Sequence, residues 1–204
     1  MASYPRSGHE ITVRILSNYF GSGMFHHVDC HEARNIVPSL LRNMNCHKTH
    51  DFFLNVSKEL PLVYSVRYRT PIESIVSWYL MNFSKGLWGT DKDSIDVFKP
   101  WAQERIDYWK RFANKWIIDR GGNDFHYFSY HEFIKDPMKE MTRTIVDVYG
   151  EACNEARLAT VIERLGVSKK NDIRTFRYFD ESFFKSLELQ VDREMDRIGL
   201  PSAL

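Results

Sequence analysis

Three short segments of this chain combine cationic, hydroxyl and imidazole side chains at spacings that suit the binding of small anions. The first, Tyr4-Pro5-Arg6-Ser7-Gly8, stands between a short apolar run and a helical pattern. Backbone N–H groups and the positive end of the helix dipole point at such a junction, and Arg6 adds a cation, so the segment can cradle an anion. It lacks the lysine pattern of nucleoside triphosphatase loops, and alone such a run is more often a simple turn.

The second segment, Lys48-Thr49-His50, ends a short predicted strand. Open α/β sheets place ligand-contacting residues at this position. A histidine exchanges a proton near neutral pH, and the lysine adds a positive charge beside it. A surface histidine, or one whose hydrogen bonds are satisfied in the core, is the commoner explanation of such a residue taken alone.

The third segment, Arg69-Thr70-Pro71, is followed by Ser77 on a predicted helix that begins at Pro71. An arginine and a hydroxyl that converge in this way suit a phosphate group. The alternative, which the sequence leaves equally open, is an ion pair between Arg69 and Glu73 with Ser77 on a polar helix face.

The elements that must position these segments alternate between short apolar runs and longer helical patterns, which predicts an α/β fold with a parallel sheet. Strands are predicted at Ala2–Tyr4, Cys46–His50, Leu60–Val66 and Asp124–Tyr130. Helices are predicted between Gly8 and Gly21, from Pro71 onward, and over Phe98–Trp116, Pro137–Tyr149, Asn154–Leu165 and Asp180–Gly199. No linker divides the chain, so residues 1–204 are interpreted as one domain with a mainly helical part from about residue 137.

Composition narrows the function classes. The chain has 28 Lys and Arg against 27 Asp and Glu, a net charge of +1, which argues against bulk electrostatic binding to nucleic acid or an anionic membrane. Cys30, Cys46 and Cys153 form no Cys-x-x-Cys pair and are typical of free thiols in a reducing compartment. With no long apolar segment that would serve as a signal peptide or membrane span, we expect a cytoplasmic protein.

Together the segments resemble motifs of the sulfotransferases that use 3′-phosphoadenosine 5′-phosphosulfate (PAPS). Tyr4-Pro5-Arg6-Ser7-Gly8 is similar to their 5′-phosphosulfate loop, Y-P-[KR]-S-G-[TN]-T-W, and Lys48-Thr49-His50 to their K-T-H catalytic segment. Arg69-Thr70-Pro71 with Ser77 is similar to their 3′-phosphate motif, R-D-P-x-x-x-x-x-S. The run from Tyr130 to Pro137 resembles Y-E-D-L-x-x-D-P.

The resemblance implies a three-layer α/β/α sandwich of the P-loop-like kind, with a central parallel sheet of about four or five strands. It also implies transfer of a sulfuryl group from PAPS to an acceptor hydroxyl, with PAP as the product. In this interpretation His50 is the general base, while Lys48 and Arg6 stabilise the developing charge. The donor would be bound by a larger set of residues: Arg6, Ser7, Gly8, His9, Thr12, Arg69, Ser77 and Tyr130.

The chain departs from the family pattern at two places. After Gly8 it reads His9-Glu10-Ile11-Thr12 where the family usually has hydroxyl residues and a tryptophan, and the C-terminal R-K-G motif is missing. The basic segment Ser168–Arg177 is the nearest substitute, and we hypothesise that it is a mobile lid over the donor. Two alternatives remain open at this point: a kinase-like nucleotide-binding enzyme, and a catalytically inactive protein that binds PAP or PAPS.

The sequence says less about the acceptor and about metals. Trp88 in the Ser84–Val97 loop would stack on a sugar ring and favour a glycan or glycolipid hydroxyl, and it is equally open that Trp88 packs on the domain. A metal site would draw on histidines and cysteines: His27, Cys30, His31, Cys46, His47 and His50. Because these residues lack the spacing of a closed tetrahedral site, no metal is expected.

Overall fold

A computed structural model of the chain describes residues 1–21, 24–25, 27–29, 46–59, 62–84, 93–119, 125–168 and 172–204. The strands are β1 (Ala2–Ser3), β2 (His27–Asp29), β3 (Cys46–Lys48), β4 (Tyr64–Tyr68) and β5 (Phe125–Ser129). The helices are α1 (His9–Phe20), α2 (Pro71–Ser84), α3 (Ile95–Ala113), α4 (Tyr130–Lys135), α5 (Pro137–Tyr149), α6 (Glu155–Leu165), α7 (Glu181–Glu188) and α8 (Asp192–Ile198). Of the helices described, none is both long and apolar enough to cross a membrane. The predicted α/β class is confirmed.

The chain divides into two compact units. The first comprises Met1–Tyr68 and Arg120–Lys169, and the second comprises Arg69–Asp119 and Lys170–Leu204. The interpretation of residues 1–204 as one domain stays a prediction.

A parallel sheet forms the centre of the first unit. Strand β4 lies in the middle and pairs in parallel with β1 on one edge and with β5 on the other. Strands β2 and β3 form a separate parallel pair, and an isolated parallel bridge joins Thr49, just after β3, to Ala2. The predicted parallel pairing is therefore confirmed.

Helix α1 packs its apolar face against the helices that follow β5. Ile15, Leu16 and Tyr19 are buried in one core with side chains of β5, α4, α5 and α6. The helix ends where Gly21 donates its N–H to the carbonyl of Ser17, as the glycine at this position predicts. This packing fixes α1 against β5 and the helices that follow it.

The second unit is organised around aromatic side chains of α2 and α3. The buried rings of Tyr79 and Phe98 lie 5.0 Å apart between centroids, and Phe176 contacts both. Asp93 accepts a hydrogen bond from the Tyr79 hydroxyl at 3.1 Å and forms an ion pair with Arg177. These contacts hold the described part of the basic segment that was hypothesised to be a lid. Lys169 and Lys170 lie outside the described residues.

The largest differences from the sequence-based boundaries concern β4 and the C-terminal helix, and several other elements begin or end a few residues from the predicted position. Strand β4 begins at Tyr64, and Leu60 lies outside the described residues. The helix predicted over Asp180–Gly199 is two helices, because the N–H groups of Gln190 and Val191 bond only three residues back and tighten the last turn of α7.

His126 on β5 is a buried histidine that the fold keeps neutral. Its Nδ1 lies 3.3 Å from Oδ2 of Asp147, and its Nε2 lies 3.2 Å from the hydroxyl of Thr144. Burial first, and then the positive charges of Arg143 and Arg67, lower its pKa from 6.5 to about 4. Protonation of this side chain therefore opposes folding.

We expect the free energy of unfolding to fall as the pH decreases from about 6.5 towards 4, because the unfolded chain binds a proton on His126 that the folded chain does not bind. The slope should approach about 1 kcal/mol per pH unit in the middle of this window. Chemical denaturation at several pH values should give a smaller slope for His126→Gln than for the wild type. His131→Gln, on α4, is the control and should keep the wild-type slope. Equal slopes for the wild type and His126→Gln would contradict the expectation.

Candidate functional site

The segment between β1 and α1 forms a tight turn. Its first residue, Tyr4, donates its N–H to the carbonyl of Arg67 at 3.0 Å, and the N–H of Ser7 returns to the Tyr4 carbonyl at 3.3 Å. Pro5 occupies the second position of the turn, and Arg6 occupies the third with a φ of +65°. A left-handed residue after proline is typical of a type II turn, where glycine is usual. A side chain held in this region costs about 1 kcal/mol or more, which is characteristic of functional sites.

The start of α1 presents polar groups at the end of this turn. Gly8 is the N-cap residue, and within the described residues no side chain caps the helix start. The first N–H groups of a helix have no partner inside the helix, and the dipole makes this end positive. The Ser7 hydroxyl is fully buried and has no hydrogen-bond partner in the described parts of the chain. Exposed Arg6 adds a cation, so the segment Tyr4–Gly8 can hold an anion; we call it the anion loop.

His50 follows β3 and is oriented by the end of β1. Its Nδ1 lies 2.7 Å from the carbonyl oxygen of Ser3. A carbonyl oxygen only accepts, so Nδ1 carries a hydrogen, and in the neutral ring the lone pair is on Nε2. This tautomer is the one that a general base acting through Nε2 requires.

Backbone pairing places His50 next to the anion loop. The N–H of Ser3 donates to the Thr49 carbonyl at 3.0 Å, and the N–H of Thr49 donates to the Met1 carbonyl at 2.9 Å. Strand β1 therefore lies between Thr49 and β4, and the segments after β1 and after β3 leave the sheet at the same edge. The structure thus brings together two of the three segments that the sequence singled out.

Two cations act on the start of α1, while exposed Glu10 places a carboxylate in its first turn. Burial lowers the pKa of His9 far below its ordinary value, and the nearby charges of Lys48 and Arg67 lower it further. The ring of His9 is buried, with Nδ1 3.0 Å from the sulfur of Met1. Because its ring is buried, His9 would contact a bound anion through its backbone N–H group. The positive charges of Lys48 and Arg67 that act on His9 would also attract a bound anion.

Two predicted donor-binding residues support the anion loop from inside the unit. The Thr12 hydroxyl donates to the Gly8 carbonyl at 2.9 Å and accepts from Nη1 of Arg67 at 2.8 Å. The Tyr130 ring packs over Gly8, where an added Cβ would lie 2.6 Å from Cδ2 of the tyrosine. Sequence reasoning missed Arg67 because an arginine near the end of an apolar run resembles a loop residue, whereas the structure places it inside β4.

Apolar side chains lie beside His50. The Phe52 ring centroid is 5.3 Å from that of His50, and Phe53 is 71% exposed. The turn that carries them is well braced, because Asp51 Oδ1 accepts from the Val56 N–H at 3.0 Å and the Asp51 carbonyl accepts from the Leu54 N–H at 2.8 Å. Asp51 and Leu54 have φ values of +49° and +53°, so backbone strain accompanies this exposed surface.

The third predicted segment belongs to the second unit. Nε of Arg69 lies 3.1 Å from Oε2 of Glu73, and the Thr70 hydroxyl donates to the same oxygen at 2.9 Å. Trp109 Nε1 donates to the Arg69 carbonyl at 3.1 Å, and Ser77 is buried on α2. The ion pair with Glu73, which the sequence left open, is therefore present. The role of Arg69 and Ser77 towards a phosphate stays a prediction.

The metal alternative gains no support from the described residues. His27 lies in strand β2, so helical spacing does not apply to it, and Cys30 and His31 lie outside the described residues. The described parts of the chain contain no group of three or more His, Cys, Asp or Glu residues placed to hold a metal ion. Trp88 also lies outside the described residues.

Comparison of the chain with protein-family models, with curated proteins and with solved structures finds no match. The likeness to sulfotransferases is therefore a resemblance of motifs. The geometry of the site has to support any function that is assigned to it.

Gly8→Ala tests how closely the anion loop is packed. Gly8 has a φ of +79° and faces Tyr130, whereas Gly150, at the end of α5, has a φ of +68° with open space around it. Both substitutions strain the backbone, so Gly150→Ala should lower the free energy of unfolding by about 1 kcal/mol. Gly8→Ala adds a steric clash and should lower it by roughly 1 to 3 kcal/mol more. Denaturant titration compares them, and equal losses would show that Tyr130 yields without cost.

Proposed function

We propose that this protein is a sulfotransferase that transfers a sulfuryl group from PAPS to an acceptor hydroxyl and leaves PAP. The observation that supports this most is the hydrogen bond from His50 Nδ1 to the Ser3 carbonyl at 2.7 Å. This bond places the hydrogen of the neutral imidazole on Nδ1. It also ties His50 to Ser3, the residue that precedes the anion loop. A base beside an anion-binding loop is the arrangement that sulfuryl transfer needs.

The residues of the first unit account for the chemistry. His50 Nε2 takes the proton of the acceptor hydroxyl. PAPS supplies the sulfuryl group: the acceptor oxygen forms a bond to sulfur while the bond from sulfur to the 5′-phosphate oxygen breaks, and its electron pair leaves with PAP. Lys48 and Arg6 offset the negative charge on the transferring group and the leaving oxygen. Arg6 is too basic to donate a proton, so its role is electrostatic.

Donor binding is proposed at the anion loop. Ser7, Gly8 and the first N–H groups of α1 would hold the 5′-phosphate end, and Tyr130, which packs over Gly8, would lie near the adenine. A P-loop-like three-layer sandwich is the proposed architecture. The bridge between Ala2 and Thr49 supports a continuous sheet in the order β2-β3-β1-β4-β5, within the four or five strands expected.

The acceptor is proposed to be a hydroxyl on a glycan or glycolipid. Phe52 and Phe53 support an acceptor with an apolar face, because aromatic rings stack on the C–H face of a sugar and also contact lipid chains. The free thiols of Cys46 and Cys153 suit the reducing, cytoplasmic setting that we propose.

Ligand binding and turnover test the proposal together. Calorimetric titration should show binding of PAP and PAPS without binding of ATP, and turnover should appear with a panel of hydroxyl acceptors. ATP binding in place of PAP would indicate a kinase-like enzyme. PAP binding without turnover would indicate an inactive binding protein.

His50→Ala should lower turnover about 10²- to 10⁴-fold, the usual contribution of a positioned base, and leave the affinity for PAP almost unchanged. His131→Ala, on α4, is the matched control and should keep wild-type turnover. Turnover is measured at saturating PAPS so that donor affinity does not enter. If His50→Ala retains full turnover, another residue removes the proton.

Two substitutions in the second unit, one at Arg69 and one at Glu73, test whether Arg69 binds the 3′-phosphate. Arg69→Ala should weaken PAP binding roughly ten- to a hundredfold, the loss expected for a charge-assisted bond to the 3′-phosphate. Glu73→Gln removes the competing carboxylate, so PAP affinity should be kept or increased. Calorimetry measures the affinity for PAP and for adenosine 5′-phosphate, which lacks the 3′-phosphate. Arg69→Ala should lower only the affinity for PAP. Equal losses for both nucleotides would show that the ion pair is structural.

A further inference from the structure

Arg67 is a charged residue in the centre of a parallel sheet. It lies in the middle strand β4, opposite Ser3 of β1 and Phe128 of β5, and it is fully buried. Central parallel strands are normally apolar on both faces. Burying an ionised group there is costly unless it is paired, so the presence of this arginine needs a physical reason.

Within the described residues no direct contact of Arg67 is an ion pair, and the carboxylate of Glu140, which is bound to Arg143, attracts the guanidinium only from beyond contact distance. Nη1 donates to the Thr12 hydroxyl at 2.8 Å, Nε approaches the sulfur of Met1 at 2.9 Å, and the Phe128 ring centroid lies 3.9 Å from Cζ. Nη2 is buried without a hydrogen-bond partner, and no carboxylate forms an ion pair with the guanidinium, as far as the described residues extend. Burial lowers its pKa to about 10, so it is still charged at neutral pH.

Two contacts connect Arg67 to the anion loop. The Thr12 hydroxyl that accepts from Arg67 donates in turn to the Gly8 carbonyl at 2.9 Å. This bond helps to turn the Gly8 carbonyl along α1, away from the loop surface. Phe128, which contacts the guanidinium, also lies 3.8 Å from the position of a Cβ on Gly8. Arg67 therefore acts on the floor of the loop and is not exposed to a ligand.

We propose that Arg67 is a positioning residue and a buried countercharge of the anion loop, and that the 5′-phosphate end of the nucleotide balances the charge of this guanidinium, which has no ion pair in the described parts of the chain, when it binds there. This rests on the proposed function for the identity of the ligand. Charges act over longer distances in the interior than in water, so Arg67 need not touch the anion. The charge would then be retained for ligand binding at the expense of fold stability.

The test compares Arg67→Met with the wild type in two measurements. Denaturation without ligand should show equal or higher stability for the variant, because an apolar side chain replaces a buried charge that has no ion-pair contact among the residues described. Calorimetry should show PAP binding weakened roughly tenfold or more, with little change for adenosine 3′-phosphate, which lacks the 5′-phosphate. Arg67→Lys keeps the charge and should recover most of the PAP affinity. Arg164→Met removes an exposed cation of α6 in the same unit, so it is the control and should bind PAP normally.

Several outcomes would overturn the proposal. These are wild-type PAP affinity in Arg67→Met, equal losses for both nucleotides, and equal weakening in the Met and Lys variants. If Arg67→Met does not fold, Thr12→Val removes only the hydroxyl between Arg67 and Gly8 and should still weaken PAP selectively. Unchanged PAP affinity in Thr12→Val would then overturn the positioning role.

Binding of inorganic pyrophosphate distinguishes a failure of this proposal from a failure of the proposed function. If the wild type binds pyrophosphate but not PAP, the nucleotide assignment is wrong, and the Arg67 variants are tested with pyrophosphate instead. Loss of pyrophosphate binding in Arg67→Met would support the countercharge. A wild-type protein that binds neither ligand would overturn both proposals.

Discussion

Hydrogen bonding along both edges of strand β1 is the constraint on which the candidate site depends. On one edge Tyr4 donates to the Arg67 carbonyl, and on the other Ser3 donates to the Thr49 carbonyl. Because β1 has only two residues, few bonds define its position, and all of them lie where an unpaired backbone group is costly. The turn after β1 and the imidazole of His50 consequently hold a fixed spatial relation.

Helix starts were predictable where one residue has a strong local preference. Pro71 and Pro137 each begin a helix, because a fixed φ and a missing N–H suit the first turn. The bounds of β4 were less predictable, since they depend on pairing with β5 as far as Ser129. The break before α8 was hidden because Leu187 and Val191 are both buried and continue one helical pattern across it.

In the site, too, the sequence reveals residue types and local position, whereas contacts between residues far apart in the chain stay hidden. The residue types of the anion loop and of Lys48–His50 are visible in the sequence, and so is the strand-end position of both segments. The proton position on His50 is not, because it depends on the carbonyl of a residue 47 positions away. Arg67 was hidden for a related reason. A cation near the end of an apolar run looks like the start of a loop until the pairing of β4 with both neighbours places it inside the sheet.

The order of the strands also bears on how the nascent chain matures. Strand β5 pairs with β4 although roughly sixty residues separate them, and most of the intervening chain belongs to the second unit. At ordinary translation speeds of about 5 to 20 residues per second, several seconds pass between the synthesis of the two strands. During this interval one edge of β4 has no neighbour, and an open edge invites pairing with other chains.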